Sequence, residues 1–351
     1  GISFEEDVLA NSYIDLNPSY DESQNAYPIR ISVKEGTDMT SLAPIFELTP
    51  GATISPASGS VQNFTTPVRY TVTSEDKAWH RVYAITAREQ KASNIPTTYH
   101  FEKVRIMQNV WQEFYEEQDS GNELTWASGN KGFKWAMSEA ATEDYPTTQI
   151  DNGKTGKCVK LETRLTGDLG NMVGMPIAAG NLFIGSFDML NAITNPLSAT
   201  RFGTPFYNKP LRLTGYYKYK AGEQFYENGE YTSRKDIFNI YAIFYDGVKY
   251  DSAGKGTDVT LDGNLPNQNY EHSSMVALAL VSNPQETEGD EWKFFDIPFD
   301  YQRYGKKIDE ARLAKGEYKI GIIFASSKDG ATFEGAPGST LLIDEVELIY
   351  E

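Results

Sequence analysis

Polar and apolar residues alternate along most of this chain with the two-residue period of a β-strand, not the 3.6-residue period of a helix. Within residues 1–90, Ile29, Ile31 and Val33 alternate with polar neighbours, as do Phe46 and Leu48, then Val68, Tyr70 and Val72. A last strand is expected over 81–87. Turn-forming residues separate these runs: Gly36 to Asp38, Pro50–Gly51, Pro56 to Gly59, and Glu75–Asp76. About seven short strands in so few residues is an immunoglobulin-like pattern.

A polar stretch, KASNI at 91–95, precedes Pro96 and is expected to be a hinge. Beyond it, strands are expected at 98–104, 158–163, 182–188, 211–219, 237–245, 275–281, 291–297, 318–325 and 340–350. Long loops between them fit one large jelly-roll sandwich. Asp246–Gly247 follows an apolar run and reads as a type I′ turn. The segment 104–118 (VRIMQNVWQEFYEEQ) is the best helix candidate, or else an irregular insertion. The fold class expected is all-β: an Ig-like β-sandwich over 1–92, then a larger jelly-roll β-sandwich over 96–351.

The closing stretch GSTLLIDEVELIYE (338–351) holds an anomaly. Strict alternation puts Leu342, Val346, Leu348 and Tyr350 on one face together with Asp344, and Glu345 and Glu347 on the other. A carboxylate on an apolar face costs free energy unless something satisfies it. Two readings stand: a hydrogen-bonded Asp near the strand's rim, or an oxygen ligand of a structural cation. In YHFEKV (99–104), Glu102 falls on the face opposite Tyr99 and Phe101. It is either a surface residue or a second oxygen ligand for Ca²⁺, where the first and last strands of this domain meet.

Composition narrows the function. The net charge of −17 argues against nucleic acid and anionic membrane surfaces as partners. Cys158 is the single cysteine, so no intrachain disulfide forms. The longest apolar run, Met275 to Val281, is too short to span a bilayer. His80, His100 and His272 have no metal-type spacing, and no glycine-rich phosphate loop precedes a helix. No catalytic residue is assigned. Glycoside hydrolysis needs only two carboxylates across a cleft, which leave no spacing signature among 49 acidic residues.

Sugar binding leaves a softer trace, because apolar sugar faces stack on flat rings. Trp111, Tyr226 and Tyr231 belong to the wider set of candidates. The carbohydrate-binding residues assigned are Trp126, Trp135, Tyr217, Tyr219 and Trp292, with Trp126 foremost in the loop-rich LTWASGNKGF (124–133). In TGYYKYKAGE (214–223), Tyr217 and Tyr219 share one face while Tyr216 and Lys218 share the other. One of these sets is expected to line an open sheet face.

Segment 42–87 resembles the Ig-like modules near the N-termini of Bacteroidetes surface lipoproteins. HFEKV (100–104), WASGNKGF (126–133), GKCVKLET (156–163), RLTGYYKYKAGE (212–223) and SSKDGATFEGAPGSTLLIDEVELIYE (326–351) resemble the putative carbohydrate metabolism domain of such lipoproteins. That resemblance implies a jelly roll similar to carbohydrate-binding modules and a role in glycan use. Modules of this shape often hold a structural Ca²⁺ through a first-strand Glu and a last-strand Asp, and Glu102 and Asp344 match those positions. It also implies a bacterial cell-surface or periplasmic protein, lipid-anchored at the outer membrane by a segment outside this sequence. The leading expectation is non-catalytic recognition of an oligosaccharide or polysaccharide, alongside other surface glycan-utilisation proteins. A glycoside hydrolase, or a structural adhesin or stalk component, is the alternative.

Overall fold

The computed structural model describes residues 1–10, 14–90, 93–118 and 123–351. Residues 91 and 92 of the expected hinge lie outside them. Contacts divide the chain into two compact units, Gly1–Ala92 with Ile349–Glu351, and Ser93–Leu348.

The first unit is the Ig-like β-sandwich. Its four-stranded sheet runs in the order Tyr27–Lys34, His80–Gln90, Val68–Thr73, Thr53–Ser55. The first two strands are parallel and the others antiparallel. Ile2–Ser3 pairs with Ile45–Phe46 in a second, small sheet. Ile29, Ile31 and Val33 all point inward, against Phe64, Tyr70 and Ile85.

The second unit is the larger sandwich. One sheet runs Thr147–Asp151, Lys157–Glu162, Thr340–Tyr350, Pro210–Lys220, Lys293–Pro298, and Thr98–Tyr99 also pairs with Thr340–Tyr350. The other runs Asn181–Phe183, Tyr318–Ala325, Asn239–Asp246, Met275–Leu280, with Thr204–Pro205 joining Tyr318–Ala325. Seven of the eight residues of Asn239–Asp246 are buried, so both faces of that strand are covered. One face meets the first sheet. The other carries a second core that includes Phe183, Phe202, Tyr241, Tyr245 and Tyr270.

Several local expectations are corrected. The 104–118 segment is neither a helix nor irregular: Val104–Met107 and Trp111–Glu117 form an antiparallel hairpin. Gln108 and Asn109 both have positive φ, +50° and +59°, which turns the chain where helical periodicity would have continued it. The strand expected at 98–104 is broken at Phe101, where φ is +55°. Asp246–Gly247 is no I′ turn, since neither residue has positive φ. Asp246 instead accepts two hydrogen bonds from the Arg312 guanidinium, at 2.6 and 2.7 Å. A Cβ on Gly247 would lie 2.9 Å from the Glu317 carbonyl, so glycine serves close approach there.

The closing strand also departs from strict alternation. Leu341 and Ile343 are buried, whereas Leu342 is only half-buried and does not share their face. Glu345 has φ +47°, a bulge that resets the phase so that Val346 and Leu348 point inward again. The bulge sits where the neighbour changes, from Lys157–Glu162 beside 340–343 to Thr98–Tyr99 beside 346–347.

At one end of the sandwich a buried carboxylate gathers the loops. Asp236, 3% exposed, accepts hydrogen bonds through Oδ2 from the hydroxyls of Ser327 (2.6 Å) and Ser339 (2.7 Å) and the Ala336 N–H (2.8 Å). Thr163 Oγ1 extends the network to Ser326 and Ser327 at 2.8 and 2.6 Å. Desolvation raises the Asp236 pKa, and the hydrogen-bond donors offset only part of that rise. Replacing the carboxylate orphans three buried donors. Asp236→Ala is expected to lower the unfolding free energy by about 3 kcal/mol, with a smaller loss for Asp236→Asn. Urea denaturation at pH 7 measures this, and a loss below about 1 kcal/mol would show the network to be dispensable.

Candidate functional site

The strands Pro210–Lys220 and Lys293–Pro298 decide which aromatics are open. Their antiparallel register places Tyr216 opposite Phe294 and Tyr217 opposite Lys293. Tyr217 and Tyr219 point into the sandwich, each 2% exposed, with Phe238 between the sheets at 4.8 and 4.9 Å from their rings. They are core residues and not the open face expected of them. Trp126 is likewise core: 1% exposed, edge-on to Tyr99 at 5.1 Å and packed against Phe101 and Phe324. Its loop-like neighbourhood places the ring beneath the hairpin and not on the surface. Trp135, 37% exposed, stands elsewhere, on the helix Asn130–Ala136.

The other half of the tyrosine alternation faces out. The Tyr216 and Phe294 rings lie 5.2 Å apart, and Phe294 is 54% exposed. Lys154 Nζ stands over Tyr216 at 4.8 Å, and Lys218 Nζ over the half-buried Trp292 at 5.0 Å. Of the assigned sugar-binding residues, Trp292 is the one in this aromatic row. Sequence reasoning named Tyr216 as an alternative and missed Phe294. The signal was present in WKFF (292–295), where Trp292 and Phe294 share a strand face.

Beside this row, between the edge strands Met275–Leu280 and Lys293–Pro298, lies a cleft of about 520 Å³. Phe294, Asn283, Lys293, Asp296, Asp300 and Arg303 line it, with Tyr217 in its wall. Asp296 accepts from Arg212 Nε at 2.7 Å, and Asp300 Oδ1 accepts the N–H groups of Gln302 and Arg303. A flat ring beside amide, carboxylate and cationic groups can stack an apolar ring face and fix its hydroxyls.

Glu102 and Asp344 are both held by the hairpin loop between Thr147–Asp151 and Lys157–Glu162. Asp344, fully buried, accepts from Thr155 N–H at 3.0 Å and from Glu345 N–H at 2.9 Å. Glu102 Oε1 accepts from Lys157 N–H at 2.8 Å. Glycines make the wrapping possible, since a Cβ on Gly156 would lie 2.1 Å from Glu102 Oε1, and one on Gly153 2.7 Å from Asp344 Oδ2. Burial raises the Asp344 pKa to about 6, against the opposing backbone donors, and the Glu345 carboxylate adds to the rise. Cys158 lies fully buried nearby, its thiol pushed up to about 12 by desolvation and by the Asp344 charge. Among the described residues no group of three or more His, Cys, Asp or Glu side chains is arranged to hold a metal ion. A cation here would rest on two carboxylates and backbone oxygens.

An all-β, two-unit chain with an open aromatic sheet face defines the class. The chain belongs to the family described as putative carbohydrate metabolism domain, whose model matches residues 100–349. Residues 15–87 match the N-terminal domain of surface glycan-binding proteins. A crystal structure from Bacteroides thetaiotaomicron VPI-5482, described as a putative glycoside hydrolase, is 44% identical, covering 100% of this chain and 96% of that one, with a TM-score of 0.66. Another so described, from Bacteroides vulgatus ATCC 8482, is 50% identical over 73% of this chain and 98% of that one, with a TM-score of 0.67. Comparison with curated proteins gives no match. Among the described residues no helix is long and apolar enough to cross a membrane.

In metal-free protein, the Asp344 carboxyl keeps its proton in the folded state up to about pH 6 but loses it near 3.8 when unfolded. The folded state therefore binds more protons between these values, and stability is expected to fall as pH rises from about 4 to about 6. The loss should be about 3 kcal/mol, read from denaturation in chelator across that range. Asp344→Asn should flatten this part of the profile, and an unchanged slope would assign it to other groups.

Proposed function

We propose that this protein recognises glycans at the bacterial cell surface without cleaving them, through the row Tyr216, Phe294 and Trp292 and the adjoining cleft. The observation that carries this reading is Phe294, a large ring left 54% exposed beside Tyr216 on a rigid sheet. Stacking on such a row is tolerant of sugar identity, and Asn283, Asp296 and Arg303 supply the hydroxyl partners. Phe294→Ala and Tyr216→Ala should each weaken polysaccharide binding about tenfold, or about 1.4 kcal/mol. Affinity electrophoresis over a polysaccharide panel reads this, with unchanged melting temperatures as the control. Full binding by the double variant would remove the site from this face.

A hydrolase reading is favoured by the names of the two Bacteroides relatives and by Asp296 and Asp300 in one cleft. Both carboxylates are already engaged by Arg212 and by backbone N–H groups, which favours binding over proton transfer. Release of reducing ends by the wild type, lost in Asp296→Asn or Asp300→Asn, would decide for hydrolysis.

Glu102 and Asp344 suit a structural Ca²⁺: hard oxygen donors, one fully buried, within a glycine-bearing loop. Such an ion would reverse the cost of burying the Asp344 charge. Millimolar Ca²⁺ at pH 7 is then expected to raise the melting temperature by several degrees, and chelator to reverse it. Asp344→Asn should not respond, and a wild type equally unmoved by Ca²⁺ would retire the clamp.

A further inference from the structure

Three short helices, Asn130–Ala136, Gly167–Met172 and Met189–Thr194, stand on the side of the second unit that carries the Tyr241 core. Residues of all three line a cavity of about 170 Å³. Phe133, Trp135, Phe183, Phe187, Phe202 and Tyr241 supply ring surfaces, and Met175 and Met189 supply thioethers. Among the described residues Lys328 is the one charged residue in the lining, and it is exposed. Trp135 and Ile193 are 37% and 44% exposed at the mouth, so the space is reachable from solvent. The cavity shares no lining residue with the cleft beside Phe294.

Four of its polar side chains are engaged by the protein itself. Thr166 Oγ1 donates to the Met175 carbonyl, and Asn181 Oδ1 accepts from Gly129 N–H at 2.8 Å. Asn239 Nδ2 donates to the Tyr270 hydroxyl at 2.8 Å, and Ser327 Oγ to Asp236 at 2.6 Å. A sugar entering here would bury hydroxyls beside groups already paired, which is unfavourable. An apolar occupant loses nothing. Size sets the limit: an engineered apolar cavity of about 150 Å³ stays dry and takes up benzene. The lining favours a ring over an alkyl chain, because ring edges and methionine sulfur both make specific contacts to aromatic faces.

We propose that this cavity is a second binding site, independent of the glycan face, which takes one uncharged aromatic ring, free or as a substituent of a larger molecule. The ring would enter past Trp135 and Ile193 and sit between the helices, against Phe187 and Met175.

The test uses the full chain and three probes: benzyl alcohol, cyclohexylmethanol as its aliphatic counterpart, and galactose. Calorimetry should show benzyl alcohol binding one to one, at least threefold tighter than cyclohexylmethanol, with no heat from galactose attributable to this cavity. Ala192→Trp, which fills the cavity from the helix Met189–Thr194, should weaken benzyl alcohol binding at least tenfold and leave polysaccharide binding intact. Crystals soaked in 4-bromobenzyl alcohol should place the bromine inside this cavity, in contact with Phe187 or Met175. That position decides the matter even if the Trp variant does not fold. No one-to-one binding by the wild type, or bromine elsewhere, overturns the site. Equal binding of the aliphatic alcohol overturns its assignment to aromatic rings.

Discussion

The Asp236 carboxylate holds together the end of the sandwich on which the rest depends. It lies just before the strand Asn239–Asp246, and the three donors to its Oδ2 come from the connection that follows Tyr318–Ala325 and leads into Thr340–Tyr350. One strand end in each sheet is thereby fixed to the same buried charge. A buried carboxylate left with fewer partners would be unfavourable by several kcal/mol, so the loops have little freedom to move apart. The paired serines at 326–327 and the GAPGS stretch at 335–339 acquire a physical meaning here. Ser327, Ala336 and Ser339 are the donors, while Gly222 N–H in turn donates to Ser339 Oγ at 2.9 Å. Ser327 also borders the apolar cavity, so one network anchors both the closing strand and the cavity wall.

From that anchor the closing strand runs through the middle of its sheet, and its neighbour Pro210–Lys220 carries the tyrosine alternation. Phe238 and Phe295 occupy the interior side, so Tyr217 has ring partners within the core. Tyr216, half-buried on the outer face, has Phe294 across the strand pair. The exposed row therefore follows from where the core lies. Its partners Lys154 and Lys218 place cations over rings, so this aromatic face carries positive charge in an otherwise acidic protein.

The two carboxylates Glu102 and Asp344 show how a bulge serves a site. Between the pairing of 340–343 and that of 346–347 the neighbour along that edge changes, and the hairpin loop around Gly153 packs against Asp344 there. Asp344 accepts the Thr155 N–H of this loop and the Glu345 N–H of its own strand. The same bulge puts Glu345 beside His100, at 3.0 Å.

Sequence periodicity alone determined that the chain is all-β. It also located the strands Tyr318–Ala325 and Thr340–Tyr350 and split 214–223 into two faces. Those are local properties, set by the two-residue repeat and by turn chemistry. The hairpin at 104–117 escaped because Gln108 and Asn109 turn through positive φ, while the residues around them also allow a helical reading. The bulge at Glu345 escaped because an extra residue leaves no mark in composition. Which tyrosine face is buried, whether Trp126 is open, and which side chains share the cavity near Trp135 were decided by tertiary structure. Two strands can present identical alternation, and only the sheet packed against them fixes which half meets water.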